Sequence, residues 1–182
     1  MPTLERVLAR NPDHPGAIHF YIHAVEASDR PQRAEPYADR LRGAIPGAGH
    51  LVHMPSHIYY RVGRYLDALE DNKTAVKVDE KYLADTNAPM GVYRLGYYPH
   101  NVHFVMAAAE MAGDGQTVIA AAEKLRELIP DEAARGSQWY SPSRLRHISR
   151  THCSARLRPS LRCPIPATPS PMSRRCGSMR GA

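Results

Sequence analysis

Residues 49–68 of the chain have the sequence GHLVHMPSHIYYRVGRYLDA, the stretch that says most about the fold. Histidines and apolar residues fill its first part at helical spacing, and Gly63 and Arg64 interrupt that pattern. A second helical pattern begins at Tyr65, in which Ala68 and Ala75 are small enough to let two helices approach closely. The stretch therefore predicts a helix–turn–helix unit.

The histidines of this unit recur along the chain at a fixed interval. His19 and His53 are 34 residues apart, and so are His23 and His57. His103 follows His53 by 50 residues, which is the same interval plus a 16-residue insertion. A period of 34 residues is that of the tetratricopeptide repeat, a helix pair that stacks into a solenoid. We therefore predict an all-α fold, an α-solenoid of helix–turn–helix tetratricopeptide repeats.

The predicted helical domain covers residues 1–136 and contains three repeats, at about 15–47, 49–83 and 99–132. An insertion separates the second and third repeats at about 84–98, and we interpret it as a lid over the binding face, carrying Tyr93, Arg94, Tyr97 and Tyr98.

Each predicted repeat has a first helix, A, and a second helix, B. In the first repeat these helices are expected at residues 15–27 and 32–44, and in the third repeat at 100–112 and 116–128. In the second repeat, Pro55 falls inside helix A, so that helix is expected either to begin late or to kink between His53 and His57.

Residues 137–182 differ in kind from the helical domain. From residue 138 onward the chain has nine arginines and no acidic residue, and all three cysteines lie there. Two interpretations stay open: a disordered basic tail rich in Pro, Arg and Ser, or an aberrant tail translated out of frame. Because the net charge of +6 comes from this tail, it does not indicate a specific nucleic-acid partner.

No run of about 18 apolar residues is present, so no membrane span is expected. The first ten residues lack the apolar core of a secretory signal, which makes a cytoplasmic location the default expectation and leaves the compartment open. These residues are typical of the last helix of an earlier repeat, so we expect the chain to be a piece of a longer protein. Uncapped repeat ends then predict self-association.

Seven histidines take equivalent positions when each repeat is numbered so that its turn residue is position 15. They occupy positions 2, 5 and 9 of the A helices: His19, His23, His50, His53, His57, His100 and His103. This spacing places them on one helix face, which in such repeats lines the concave groove. Position 12, one turn further along the same face, carries Glu26 and Glu110.

A shared wall of imidazoles is typical of a metal site, and we predict that all seven histidines and both glutamates belong to it. Histidines at i and i+4 have Cβ atoms about 6 Å apart, and neighbouring A helices pack about 10 Å apart, so the imidazoles can converge. Seven nitrogen donors exceed the four that one zinc needs, which favours two or more metals, or one metal with acid–base histidines. The donor set favours zinc or copper over iron or manganese.

Two other hypotheses stay open for the histidines. The groove could bind a peptide or protein partner, or an anionic ligand, without metal, or each histidine could serve packing alone. A metalloenzyme that uses a bound water or dioxygen is one form of the metal hypothesis, and the sequence does not establish whether the protein is an enzyme. His14, His147 and His152 lie off the repeating positions and are expected to be structural or tail residues.

Three motifs resemble those of a bacterial family of tetratricopeptide-repeat proteins that is mostly uncharacterised. They are HPGAxHxxIHA at residues 14–24, HxxHMPSHI at 50–58 and YPHNxH at 98–103. The resemblance covers roughly residues 4–136, and it implies an α-solenoid with a histidine-lined groove. It implies no particular reaction.

Overall fold

A computed structural model describes residues 1–129, and all the secondary structure in this range is helical, which confirms the predicted all-α class. None of these helices is long and apolar enough to cross a membrane. The predicted tail and the end of the third repeat lie outside the described residues. The α-helices are α1 (Pro2–Arg10), α2 (Pro15–Glu26), α3 (Glu35–Leu41), α4 (Gly49–His53), α5 (Pro55–Val62), α6 (Tyr65–Thr86), α7 (Tyr98–Ala112) and α8 (Gly115–Leu128).

The helices pack as consecutive pairs joined by short turns. Helix α2 packs on α3, the α4–α5 segment packs on α6, and α7 packs on α8, while α5 also contacts α3 and α7 also contacts α6. Helices α5 and α7 are followed directly by Gly63 and Gly113, whose φ angles of 85° and 78° are left-handed and suit glycine. Ala68 and Ala75 of α6 are fully buried, as expected for residues that let helices approach closely.

The second helix of the first repeat is shorter than predicted. In place of one helix over residues 32–44, the chain forms a 3-10 turn at Pro31–Ala34 and then α3, which ends at Leu41. Pro36 has no amide hydrogen to donate to the carbonyl of Gln32, so an α-helix cannot run through this point with all its hydrogen bonds. The sequence pattern shows the apolar face but does not show this interruption.

The first helix of the second repeat is broken next to Pro55, as predicted. Helix α4 ends at His53 and α5 begins at Pro55, with Met54 between them in right-handed helical geometry. The amide of His57 donates to the carbonyl of Met54 over 3.3 Å, a tightened turn that bypasses the hydrogen bond lost at Pro55. Across this break, His53 and His57 still lie on the same side of the α4–α5 segment.

The predicted insertion is shorter than expected because helices take up both of its ends. Helix α6 continues to Thr86, and α7 begins at Tyr98, two residues before the predicted start of that helix. Between them lies a π-helical turn at Tyr93–Tyr97. This turn is tied to α6 because the Tyr93 hydroxyl donates to a carboxylate oxygen of Asp79 over 2.6 Å.

Asp79 is fully buried and connects three parts of the fold. Its second carboxylate oxygen accepts a hydrogen bond from the side-chain amide of Asn101 on α7, at 2.7 Å. The carboxylate also lies against Gly49, the first residue of α4, where a Cβ atom would stand 1.9 Å from its oxygen. Gly49 is therefore required by the close approach of α4 to α6.

We expect Gly49→Ala to lower the free energy of unfolding by about 1–3 kcal/mol, the usual cost of overpacking a close contact. The new methyl group would displace the Asp79 carboxylate from Tyr93 and Asn101. Gly47→Ala is the matched control because a Cβ there meets nothing within 4 Å. Urea denaturation of both variants is the measurement, and equal stability of the two would contradict the expectation.

Asp71 on α6 is a second buried carboxylate. One of its oxygens accepts a hydrogen bond from the Arg42 guanidinium at 2.8 Å, and the other has no hydrogen-bond partner among the described residues. Burial raises the pKa of the Asp71 carboxyl from 3.8 to about 6, although Arg42 acts in the opposite direction.

Because the folded protein holds this proton more tightly than the unfolded chain does, the stability that Asp71 contributes falls as the pH rises from about 4 to about 6. The Asp71→Asn variant has no titrating group at this position. Its free energy of unfolding should therefore rise relative to that of the parent protein as the pH increases across that window. Urea denaturation at pH 4 and at pH 6.5 measures this change. A stability difference that does not vary with pH would refute the assignment.

Candidate metal centre

The structure gathers most of the predicted ligands into three groups, each with one ligand atom per residue and all three atoms within 4.8 Å of one another. The first group lies between α2 and α4, the second between α4, α5 and α7, and the third between α2 and α5. The groups are His19, His23 and His50; His53, His57 and His100; and His23, Glu26 and His57.

The first two groups are built in the same way. Each combines positions 5 and 9 of one A helix with position 2 of the next A helix. The ring centroids of His19 and His50 are 5.0 Å apart at 87°, and those of His53 and His100 are 4.8 Å apart at 78°. Neighbouring A helices are thus offset by three residues, close to one helical turn.

The second group is the more deeply buried one. His53 is fully buried, and the side chain of His57 is only 9% exposed. The Phe104 ring packs against both imidazoles with centroids 4.7 Å away, and against His100 at 4.8 Å. Burial, followed by the neighbouring His57, lowers the pKa of His53 well below its usual value. Burial, again followed by His57, lowers the pKa of His100 to about 3.

The hydrogen bonds around His53 fix which of its nitrogens carries the proton. The side-chain amide nitrogen of Asn72 donates to the carbonyl of Ala68 at 2.6 Å, so the Asn72 carbonyl oxygen faces His53 Nδ1, also at 2.6 Å. An oxygen can only accept, so His53 Nδ1 carries the hydrogen and the Nε2 atom of the neutral ring has a free lone pair.

His57 is oriented in the same way by a carboxylate. Its Nδ1 atom lies 2.5 Å from the carboxylate of Glu26, which accepts the Nδ1 hydrogen. The Nε2 atoms of His53 and His57 then face each other at 2.8 Å. Two lone pairs at this distance repel, and a cation between them, either a proton or a metal ion, would relieve the repulsion. Anchoring of the outer nitrogen by an amide or carboxylate is the usual arrangement around metal-bound histidines.

The first group is more open to solvent. The side chain of His23 is 39% exposed, and the Nε2 atoms of His19 and His50 face each other at 3.1 Å. Burial, followed by His19, lowers the pKa of His50 to about 4, so that its imidazole is neutral at pH 7. The Nδ1 atom of His50 is buried and has no hydrogen-bond partner among the described residues. The Tyr97 ring packs on His50 with centroids 4.8 Å apart, so the insertion does contact the cluster.

Glu26 joins the two groups. Its two carboxylate oxygens lie 3.2 Å from His23 Nδ1 and 2.5 Å from His57 Nδ1. Burial alone would raise its pKa, but the hydrogen bonds from His23 and His57 lower the pKa of the carboxyl to about 2. Glu26 therefore stays ionised and can either orient both rings or bind a cation directly.

Two predicted ligands fall outside the three groups. His103 is half-buried and acts on His100 through its charge, and Glu110 is exposed. His14 has the structural role that was expected, because its Nδ1 accepts the amide hydrogen of Ala17 at the start of α2. His147 and His152 also lie outside the described residues.

Several residues that shape the site were missed from the sequence. Asn72 and Asp79 occupy the buried stripe of α6 that also holds Ala68 and Ala75. The sequence did contain a signal for them, which is a polar residue at a position where the helical period requires an apolar one. Phe104, which closes the buried group, follows His103 directly and has no comparable signature.

The proton position on His53 can be measured. In the metal-free protein, long-range proton–nitrogen NMR correlations should show the Nδ1–H tautomer of His53, because Asn72 accepts that hydrogen. In Asn72→Leu, which cannot accept it, the preference for this tautomer should be lost. A dominant Nε2–H tautomer in the parent protein would show that the lone pair does not face His57.

Comparisons of this chain with protein-family models, with curated proteins and with solved structures found no match. The resemblance to the bacterial tetratricopeptide-repeat family therefore stays a prediction.

Proposed function

We propose that this protein binds transition-metal ions, zinc or copper(II), at two sites of the same design between consecutive A helices. His53, His57 and His100 would hold one ion, and the second site would use the equivalent residues of the first group, His19, His23 and His50. One observation carries the proposal: the Nε2 atoms of His53 and His57 face each other at 2.8 Å while their outer nitrogens are anchored by Asn72 and Glu26.

The spacing of the donors fits an ion after a small adjustment. Ligands on a tetrahedral zinc with bonds of about 2.0–2.1 Å stand about 3.3 Å apart. The Nε2 atoms of His53 and His57 are 2.8 Å apart, so each ring needs to move by only a few tenths of an ångström. Repulsion between the lone pairs favours that movement.

The ligand types narrow the choice of ion. Imidazole nitrogen suits zinc and copper(II), and the groups contain no thiolate and only one carboxylate, that of Glu26. Three protein ligands leave a fourth position on zinc for water or substrate, and zinc in such a site lowers the pKa of bound water to about 7. Hydrolysis or hydration is the chemistry that such a centre would support.

We further infer that the helix pairs are tetratricopeptide repeats. The support is the 34-residue interval together with the same His–His contact between successive A helices, at 5.0 Å and 4.8 Å. The left-handed glycines at both later turns are consistent with this arrangement.

Metal titration tests the proposed function. Protein stripped with a chelator should bind about two zinc or copper(II) ions per chain, measured by elemental analysis after dialysis. Ion that binds only the folded form raises the free energy of unfolding, by about 2.7 kcal/mol at a free concentration one hundred times the Kd. His19→Ala and His53→Ala should each reduce the stoichiometry to about one, because neither residue belongs to the other three-histidine site.

His14→Asn provides the matched control, since it removes an imidazole but keeps a side chain that can cap α2. It should bind as much metal as the parent protein. Less than half an ion per chain, with no thermal stabilisation by either metal, would refute the proposal. That result would favour the competing hypothesis, a repeat scaffold that binds a peptide or protein partner without metal.

A further inference from the structure

A pocket of about 260 Å³ opens beside the histidine cluster, between the end of α2, helix α5 and helix α7. Its volume is near the lower end of small-molecule pockets, about 300 Å³, so it suits a compact ligand. The residues that line it are Glu26, Ala27, His57, Tyr60, Arg61 and Phe104.

The inner wall of this pocket belongs to the candidate metal centre. Glu26 and His57 are members of the three-residue groups, and Phe104 packs directly on His53 and His57. A molecule in the pocket would therefore lie against His57, one of the proposed ligands.

The outer wall carries a fixed positive charge. The Arg61 guanidinium donates to the backbone carbonyl oxygens of Glu26, at 2.5 Å, and Ser28, at 3.3 Å, which orients it at the end of α2. Among residues 1–129 no carboxylate forms an ion pair with Arg61, and the nearby Glu26 carboxylate is already engaged by His23 and His57. A guanidinium with unused donors matches the geometry of a carboxylate.

The remaining walls are aromatic. The rings of Tyr60 and Phe104 have centroids 6.4 Å apart and planes inclined at 61°, so they form a corner that can hold a flat apolar group. Burial raises the pKa of the Tyr60 phenol, which keeps this wall uncharged at neutral pH.

We propose that this pocket binds a small carboxylate with a single aromatic ring, its carboxylate on Arg61 and its ring between Tyr60 and Phe104. The inference rests on the proposed metal function in one respect only, which is whether the ligand's aromatic ring faces a metal-bound histidine at the inner wall. Recognition by Arg61 and the two aromatic side chains requires no metal.

Benzoate is a suitable probe, and its binding can be measured by isothermal titration and by ligand-observed NMR on the full chain, metal-free and zinc-loaded. We expect benzoate to bind at least ten times more tightly than benzamide, which lacks the charge, and than acetate, which lacks the ring. Arg61→Gln should weaken benzoate by tenfold or more and should leave benzamide unchanged.

Arg61 also ties α2 to α5, so thermal unfolding of Arg61→Gln must be measured beside its binding. Phe104→Leu tests the aromatic wall independently and should weaken benzoate while it leaves acetate unchanged. Arg10→Gln, on α1, removes an arginine outside the pocket and should bind benzoate as the parent protein does.

Absence of benzoate binding to both forms of the protein, or equal binding to the parent and to folded Arg61→Gln, would overturn the pocket proposal. If zinc binds but benzoate does not, the pocket proposal fails alone. If benzoate binds with the expected dependence on Arg61 but no metal binds, the pocket proposal stands and the metal function fails.

Discussion

The offset of three residues between neighbouring A helices determines which histidines form the two three-histidine groups. It brings position 2 of one helix against positions 5 and 9 of the helix before it, so that three imidazoles converge from two helices. The packing of α4, which carries His50 and His53, on α6 depends on Gly49, which lies against the Asp79 carboxylate. The packing of α4 on α6 therefore also sets the positions of the imidazoles that α4 carries.

The periodicity of the sequence was enough to predict the helices and most members of the cluster, because both depend on intervals along the chain. The pairing of those members was not predictable in the same way. His19 meets His50, which takes a different position on the next A helix, while His23 and His57, at equivalent positions, have ring centroids 5.3 Å apart. These contacts follow from the register between helices, which is set by packing across them. For the same reason Asn72, which comes from α6 and fixes the tautomer of His53, could not be placed from the A-helix pattern.

The two groups differ in their surroundings although their design is the same. The second is enclosed by Phe104 and anchored by Asn72, whereas the first is covered only in part, by Tyr97 of the insertion. An ion in the enclosed group would be bound by more deeply buried donors, while one in the open group would exchange with solvent more readily. The pocket that Glu26 and Phe104 line also reaches His57 of the enclosed group.

The division of each group between two helices has a consequence for how such a chain can grow. If the helix pairs are repeats, as proposed, two histidines of each three-histidine group come from one repeat and the third comes from the next. A single repeat then holds no complete three-histidine group, and a row of n repeats holds n − 1. Duplication of one repeat therefore adds one whole group, with all its donors already in register. In the proposed arrangement, the number of metal sites would therefore equal the number of junctions between repeats.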